Sequence, residues 1–270
     1  MSRLTELLRL VRFREWFYFL ALPVAGADLA RGAADNAWPL TRGVAIAFCV
    51  LAFGYLLNAA SDVGVDLDPR KNPLLATGGR PPARATAAVL AAAAVALAAL
   101  GAPAGLLAAL IAVASGTVYS VGPRLKGVPV LGTLANATNF VPLLWVGAAT
   151  PDPALARQLA PAFAGILLQS QLVHEAAYAA GDARAGVHTT FLALGRGASV
   201  ALAALFGAWP LTATGLPDWA RVALLVAYGV AFPVALARCA DVPARATLLR
   251  RWHRLAGVAV GAALFVRAAA

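Results

Sequence analysis

The chain has 270 residues, of which 61% are hydrophobic and only 13% charged, whereas a soluble domain is nearer half apolar and a quarter charged. Several apolar runs reach the ~18–20 residues that cross a bilayer; this excludes an ordinary soluble domain and predicts an all-α, polytopic membrane protein. The net charge of +10 does not point to nucleic acid, because the basic residues fall between the apolar runs and form no single patch.

Nine spans are predicted, roughly 14–33, 43–63, 84–101, 104–122, 129–149, 158–181, 191–213, 219–237 and 251–268, which together make one transmembrane helical domain over residues 1–270. Gly/Pro punctuation marks the breaks, as in Gly78-Gly79-Arg80-Pro81-Pro82, Gly122-Pro123 and Pro151-Asp152-Pro153. The first apolar stretch ends in Val24-Ala25-Gly26-Ala27, which superficially resembles a cleavage site. It runs on, and further spans follow, so no cleavage is expected. The third span is so rich in alanine that burial among other helices is expected, since small residues let backbones approach closely. Cys49 and Cys239 stand alone, so neither a disulfide framework nor a metal motif follows.

The second span closes on Asn58-Ala-Ala-Ser-Asp62-Val-Gly-Val-Asp66-Leu-Asp68. Asn58, Asp62 and Asp66 are four residues apart and share one helix face, each step climbing about 6 Å. Arg70, Lys71, Asn72 and Pro73 follow. Carboxylates at membrane depth are costly and mark functional sites. The sixth span carries a second ladder at the same spacing: His174, Tyr178 and Asp182, with Glu175 beside it. Asp62, Asp66, Asp68, Glu175 and Asp182 are five of only twelve acids in the chain. His174-Glu175 is not a zinc-protease motif, because Tyr178 stands where a second histidine is needed.

Nine spans also sort the charges. The side holding the N-terminus and both ladders carries 17 of the 22 Lys and Arg residues; the other carries Arg31, Arg42, Arg157, Arg221 and Arg267. The positive-inside rule then predicts a cell-membrane protein with a cytoplasmic N-terminus and a cavity open to the cytoplasmic face.

On these residues the chain resembles the UbiA superfamily of intramembrane prenyltransferases, nine-helix proteins with Asp-rich motifs on helices 2 and 6. Asn58, Asp62 and Asp66 match the first motif, and Lys71-Asn72-Pro73 with Gly79-Arg80 resembles the loop after it. Tyr119-Ser120-Val-Gly-Pro123-Arg124-Leu-Lys126 resembles the family tyrosine followed by a basic pair. Arg9 and Arg12 before Trp16 resemble the start of its first helix, and Gly186-Val-His188-Thr189-Thr190 resembles the stretch after the second motif. The second motif departs from the family: Asp182 is in register, but Tyr178 stands where an aspartate is expected and His174 lies a turn earlier.

The resemblance implies Mg²⁺-dependent transfer of a prenyl group from a prenyl diphosphate to an aromatic or lipid acceptor within the membrane. It implies metal ligands at Asp62, Asp66 and Asp182, with Glu175 as a substitute ligand. It implies substrate contacts from Asn58, Arg12, Arg70, Lys71, Tyr119, Arg124, Lys126, His174 and Tyr178. Hard oxygen ligands suit Mg²⁺, and the metal would neutralise charge developing on the leaving diphosphate. The same residues leave open a terpene cyclase-like enzyme, and a non-catalytic isoprenoid- or lipid-binding or transport member of the fold.

Overall fold

The computed structural model describes residues 8–27, 33–64, 72–76, 80–148, 150, 154–212, 218–239 and 241–269. Among them every regular element is helical. Five helices are long and apolar enough to cross a membrane: Ala37–Asp62, Pro82–Ala99, Pro103–Ser120, Thr190–Leu211 and Asp218–Cys239. The chain is therefore a multi-pass, all-helical membrane protein. The other four segments in the expected nine are interrupted, short or more polar. Residue contacts gather the chain into two compact units, Met1–Arg124 with Thr138–Pro153, and Leu125–Ala137 with Ala154–Ala270.

The first unit begins irregularly. Where one helix is expected over 14–33, two 3-10 turns (Phe13–Glu15 and Phe17–Ala21) lead into a single α-turn, α1 (Leu22–Ala25). Trp16 explains the break. Its backbone is non-helical (φ −139°, ψ −4°), its ring is fully buried, and its indole N–H donates to the Val11 carbonyl at 2.7 Å. Phe13 and Phe48 meet that ring edge-on, at 5.0 and 5.5 Å. A continuous helix would forfeit this anchor.

Helix α2 (Ala33–Asp62) then packs on α3 (Arg80–Ala99) and α4 (Pro103–Ser120). Arg42 reaches from α2 to donate to the Leu100 carbonyl at 2.8 Å, answering an orphan acceptor past the end of α3. Alanine in α3 is buried along a stripe that includes Ala83, Ala87, Ala94 and Ala98; most of its other residues are exposed or half-buried. The expected burial among other helices thus holds for this stripe alone. Lipid is as apolar as alanine, so the outer face needs no protein cover.

Helix α5 (Leu131–Phe140) links the two units in sequence. The second unit holds α6 (Ala154–Arg184), α7 (Thr190–Ala208), α8 (Asp218–Leu224), a π-helical stretch Leu225–Ala231, α9 (Phe232–Cys239) and α10 (Pro243–Ala269). Its apolar core includes Leu172, Val173 and Ala176 of α6, Phe191 and Ala203 of α7, Leu236 and Leu249. A polar knot lies in the same unit. The buried Gln169 amide donates to the carbonyls of Ala203 and Tyr228, both at 2.6 Å, and its oxygen meets Nε2 of buried His253 at 2.9 Å. In the π register the Phe232 N–H goes to the Ala227 carbonyl, so the Tyr228 carbonyl would look to residue 233; that is Pro233, which has no N–H, and the carbonyl is open to Gln169.

Gly207 lets α7 come this close, because a Cβ there would overlap the Tyr228 carbonyl. Gly207→Ala is expected to destabilise the protein by about 1–3 kcal/mol through overpacking, read as a lower thermal midpoint in detergent. Gly197→Ala, whose Cβ would meet nothing within 4 Å, is expected to leave the midpoint unchanged or slightly raised. Equal losses at the two positions would overturn this packing account.

Candidate functional site

Two members of the first ladder, Asn58 and Asp62, share the last turns of α2, which ends at Asp62. Asn58 is half-buried and Asp62 is buried, 7% exposed. Asp66, Asp68, Arg70 and Lys71 lie outside the described residues. Asp62 is answered from α4's far end: Arg124 Nη2 donates to its Oδ1 at 3.0 Å. The turn that brings Arg124 back is built by Gly122 at φ +70°, with Arg124 itself left-handed at φ +47°. Gly adopts such angles at no steric cost. Ser120, in the last turn of α4, points its hydroxyl at Asn58 Oδ1, 3.5 Å away. Tyr119 is half-buried beside it, and Lys126 sits half-buried in the 3-10 turn Leu125–Gly127.

Asn72 closes this region from the other side. Fully buried, it donates to the Ala59 carbonyl at 2.8 Å and accepts from the Leu74 N–H at 3.1 Å. The chain that leaves α2 after the ladder is thereby pinned back onto it. Arg12 also reaches α2. Its guanidinium is held by Glu15, at 2.6 and 3.1 Å, and lies over the Tyr55 ring, 5.5 Å from its centroid. Tyr55 precedes Asn58 by three residues, so the two share a helix face.

In the second unit the sixth-span residues divide. Glu175 is buried at 3% exposure. Its Oε1 accepts from Thr133 and Gln171, each at 3.1 Å, and its Oε2 from the Phe191 N–H at 2.8 Å. Thr190 extends the cluster: its hydroxyl lies 2.7 Å from that of Thr133 and accepts from the Val130 N–H at 2.8 Å. Glu175 thus joins α6 to the starts of α5 and α7, with a carboxylate at a helix N-terminus where the macrodipole favours it. Glu175 is the expected substitute metal ligand, and in the structure both its oxygens accept hydrogen bonds from protein donors.

Tyr178 accepts a hydrogen bond from Arg250 Nη1 at 2.9 Å, and the same guanidinium lies 5.3 Å from its ring centroid. His174 lies against the other end of this group, 4.8 Å from the Tyr178 ring. Asp182 is half-buried and His188 exposed. Arg250 is the residue that sequence reasoning missed. The Arg250-Arg251-Trp-His-Arg254 run was legible only as positive-inside charge.

The α2 donors are hard oxygens, one amide and one carboxylate, the type that Mg²⁺ takes in company with phosphate oxygens and water. Among the described residues no three His, Cys, Asp or Glu side chains gather around one point. Asn58 and Asp62 supply two oxygens on one face. This donor set fits a single Mg²⁺ completed by its substrate.

Comparison with known proteins bears on the fold and the family. No curated protein matches the sequence, but solved structures share its fold. A UbiA homolog from Archaeoglobus fulgidus bound to DMAPP and Mg²⁺ aligns with a TM-score of 0.70 at 20% identity, over 96% of this chain and 99% of its own. The same homolog bound to GPP and Mg²⁺ gives a TM-score of 0.70, also at 20% identity. A structure concerned with digeranylgeranylglyceryl phosphate synthase aligns with a TM-score of 0.74 at 15% identity, over 100% of this chain and 99% of the other. At such identities the likeness speaks to the fold alone. The family itself is decided by sequence: the UbiA prenyltransferase family matches residues 19–266, nearly the whole chain, and the chain belongs to that family.

Proposed function

We propose that the protein transfers a prenyl group from a prenyl diphosphate to a hydrophobic or aromatic acceptor within the cell membrane, with its N-terminus and both ladders at the cytoplasmic side. The observation that carries this reading is the buried Asp62 carboxylate paired with Arg124 at 3.0 Å beside Asn58, at the end of an apolar helix in a chain of this family. A diphosphate brings several negative charges and needs both cations and metal-holding carboxylates. This α2 face offers a carboxylate with a cation beside it. In the reaction the allylic C–O bond breaks, its electron pair leaves with the diphosphate, and the acceptor supplies the pair for the new carbon–carbon or carbon–oxygen bond while losing a proton.

Each residue then has a task. Asp62 and Asp66 would hold one Mg²⁺, and Asp182 on α6 would hold a further ion. The bound ion supplies neutralisation of the charge that gathers on the departing oxygens. Arg124 trades its bond with Asp62 for phosphate oxygens, which its planar fork matches bidentately. Arg70, Lys71 and Lys126 add charge, and Tyr119 and Asn58 add hydrogen bonds. Arg12, held by Glu15 and Tyr55, stiffens the α2 face. His174 and Tyr178, with Arg250, line the approach to Asp182. Apolar helix walls keep water from the cation. A DMAPP- or GPP-bound relative in Archaeoglobus fulgidus supports a prenyl diphosphate as the donor substrate.

One observation favours a second reading, a non-catalytic isoprenoid- or lipid-binding member. Glu175 is taken up by its hydrogen bonds and Tyr178 replaces an aspartate, so Asp182 is the acid left to the second motif. Diphosphate release assayed with geranylgeranyl diphosphate, Mg²⁺ and a panel of acceptors separates the two. Binding of the diphosphate with no release from any acceptor mixture would favour the binder.

For the enzyme, Asp62→Ala is expected to lower turnover by about a thousandfold or more while changing substrate binding far less. The ligand it removes acts mostly on charge present only in the transition state, at about 1.4 kcal/mol per tenfold. Unchanged turnover would remove Asp62 from the chemistry. Glu175→Gln is expected to cost about 1–3 kcal/mol of stability, because an amide N–H₂ would face one of the three donors. It should leave the Mg²⁺ concentration for half-maximal rate unaltered. A tenfold rise in that concentration, at unchanged stability, would return Glu175 to the metal.

A further inference from the structure

We infer that the groove between α9 and α10 holds an anionic glycerophospholipid of the surrounding bilayer, its phosphate on Arg238 and Arg245 and one acyl chain along Val234, Leu248 and Trp252. The groove measures about 520 Å³ and is lined by these residues with Ala231, Ala235, Cys239 and Leu249. It has two chemically distinct ends. Helix α9 runs toward the connecting loop and α10 runs away from it, so Arg238 and Arg245 stand together at the loop end. Ala231 and Trp252 each lie seven residues further in, about 10 Å at ~1.5 Å per residue. A phosphate end and an apolar slot of that depth match a headgroup and the first part of a lipid tail.

Charge supports the choice of lipid. Arg238 and Arg245 are exposed, and neither has an ion pair among the described residues. The acid of the connecting loop, Asp241, is paired with Arg196. The mouth therefore presents two guanidinium groups with no carboxylate left to receive the ammonium of a zwitterionic headgroup. Guanidinium forks fit phosphate bidentately, and basic pockets between membrane helices select anionic headgroups. Trp252 is 59% exposed and has an amphipathic ring of the kind that sits at the lipid interface. A second copy docked two-fold on this groove would bring its own arginines against these, like charge on like. Free phosphate would leave the apolar slot empty.

The test uses the full-length chain, stripped of lipid in neutral detergent, with phosphatidylglycerol or phosphatidylcholine added and bound lipid read by native mass spectrometry. The wild type is expected to bind phosphatidylglycerol about tenfold or more tighter than phosphatidylcholine, the ratio that one charge-assisted hydrogen bond carries. Arg238→Gln with Arg245→Gln should erase that preference, and Arg238→Lys with Arg245→Lys should keep part of it. Val234→Trp, which fills the slot, should weaken phosphatidylglycerol binding at an unchanged thermal midpoint. Equal binding of the two lipids, or a preference untouched by the double glutamine change, would overturn the inference. So would displacement of phosphatidylglycerol by equimolar inorganic phosphate, or a groove covered by a second copy and blocked in a lipid-free dimer.

Discussion

A carboxylate at the end of an apolar helix must have its charge answered, and at Asp62 the answer is Arg124. Desolvating a carboxylate costs several kcal/mol unless it is paired and hydrogen-bonded. That need shapes the whole end of the first unit. Gly122 and Arg124 take left-handed angles to bring the guanidinium back. Asn72 ties the departing chain to Ala59. Ser120 turns toward Asn58. The result is an α2 terminus whose polar groups are held in place before any ligand arrives. Such preorganisation is what diphosphate chemistry asks of a protein, since positioned charge does most of the catalytic work there.

The second unit meets the same constraint differently. With no water in the bilayer core, polar groups must find partners in the protein. Gln169 uses its amide on two backbone carbonyls and a histidine, and the π-helical stretch supplies one of those carbonyls. Glu175 accepts three hydrogen bonds where α6 passes the starts of α5 and α7. A buried acid in a membrane helix is a functional candidate by default. Here its neighbours answer both of its oxygens.

Much of the fold was legible in the sequence because it is written locally. A run of apolar residues declares a membrane helix whatever else surrounds it. The punctuation at Gly101-Ala-Pro103 and Gly122-Pro123 sets helix ends by backbone sterics. The four-residue spacing of Asn58 and Asp62 places them on one face of α2 by helix geometry alone. The irregular start over 13–27 was less legible. Periodicity there reads as one more span, and the buried Trp16 that breaks it depends on Phe48, far along the chain.

The sequence by itself determined that the chain is an all-helical membrane protein, that its acids concentrate in two ladders, and that it resembles the prenyltransferase family to which it belongs. These follow from composition and from spacing within single helices. Only the tertiary structure decided which helix answers each polar group. Arg124 reaches Asp62 across 62 positions and Arg250 reaches Tyr178 across 72, while Thr133 and the Phe191 N–H draw Glu175 into the packing of α6. The physical reason is distance along the chain. A helix fixes the side chains four residues apart, but the donor that meets a buried acceptor comes from another helix, and only packing chooses it.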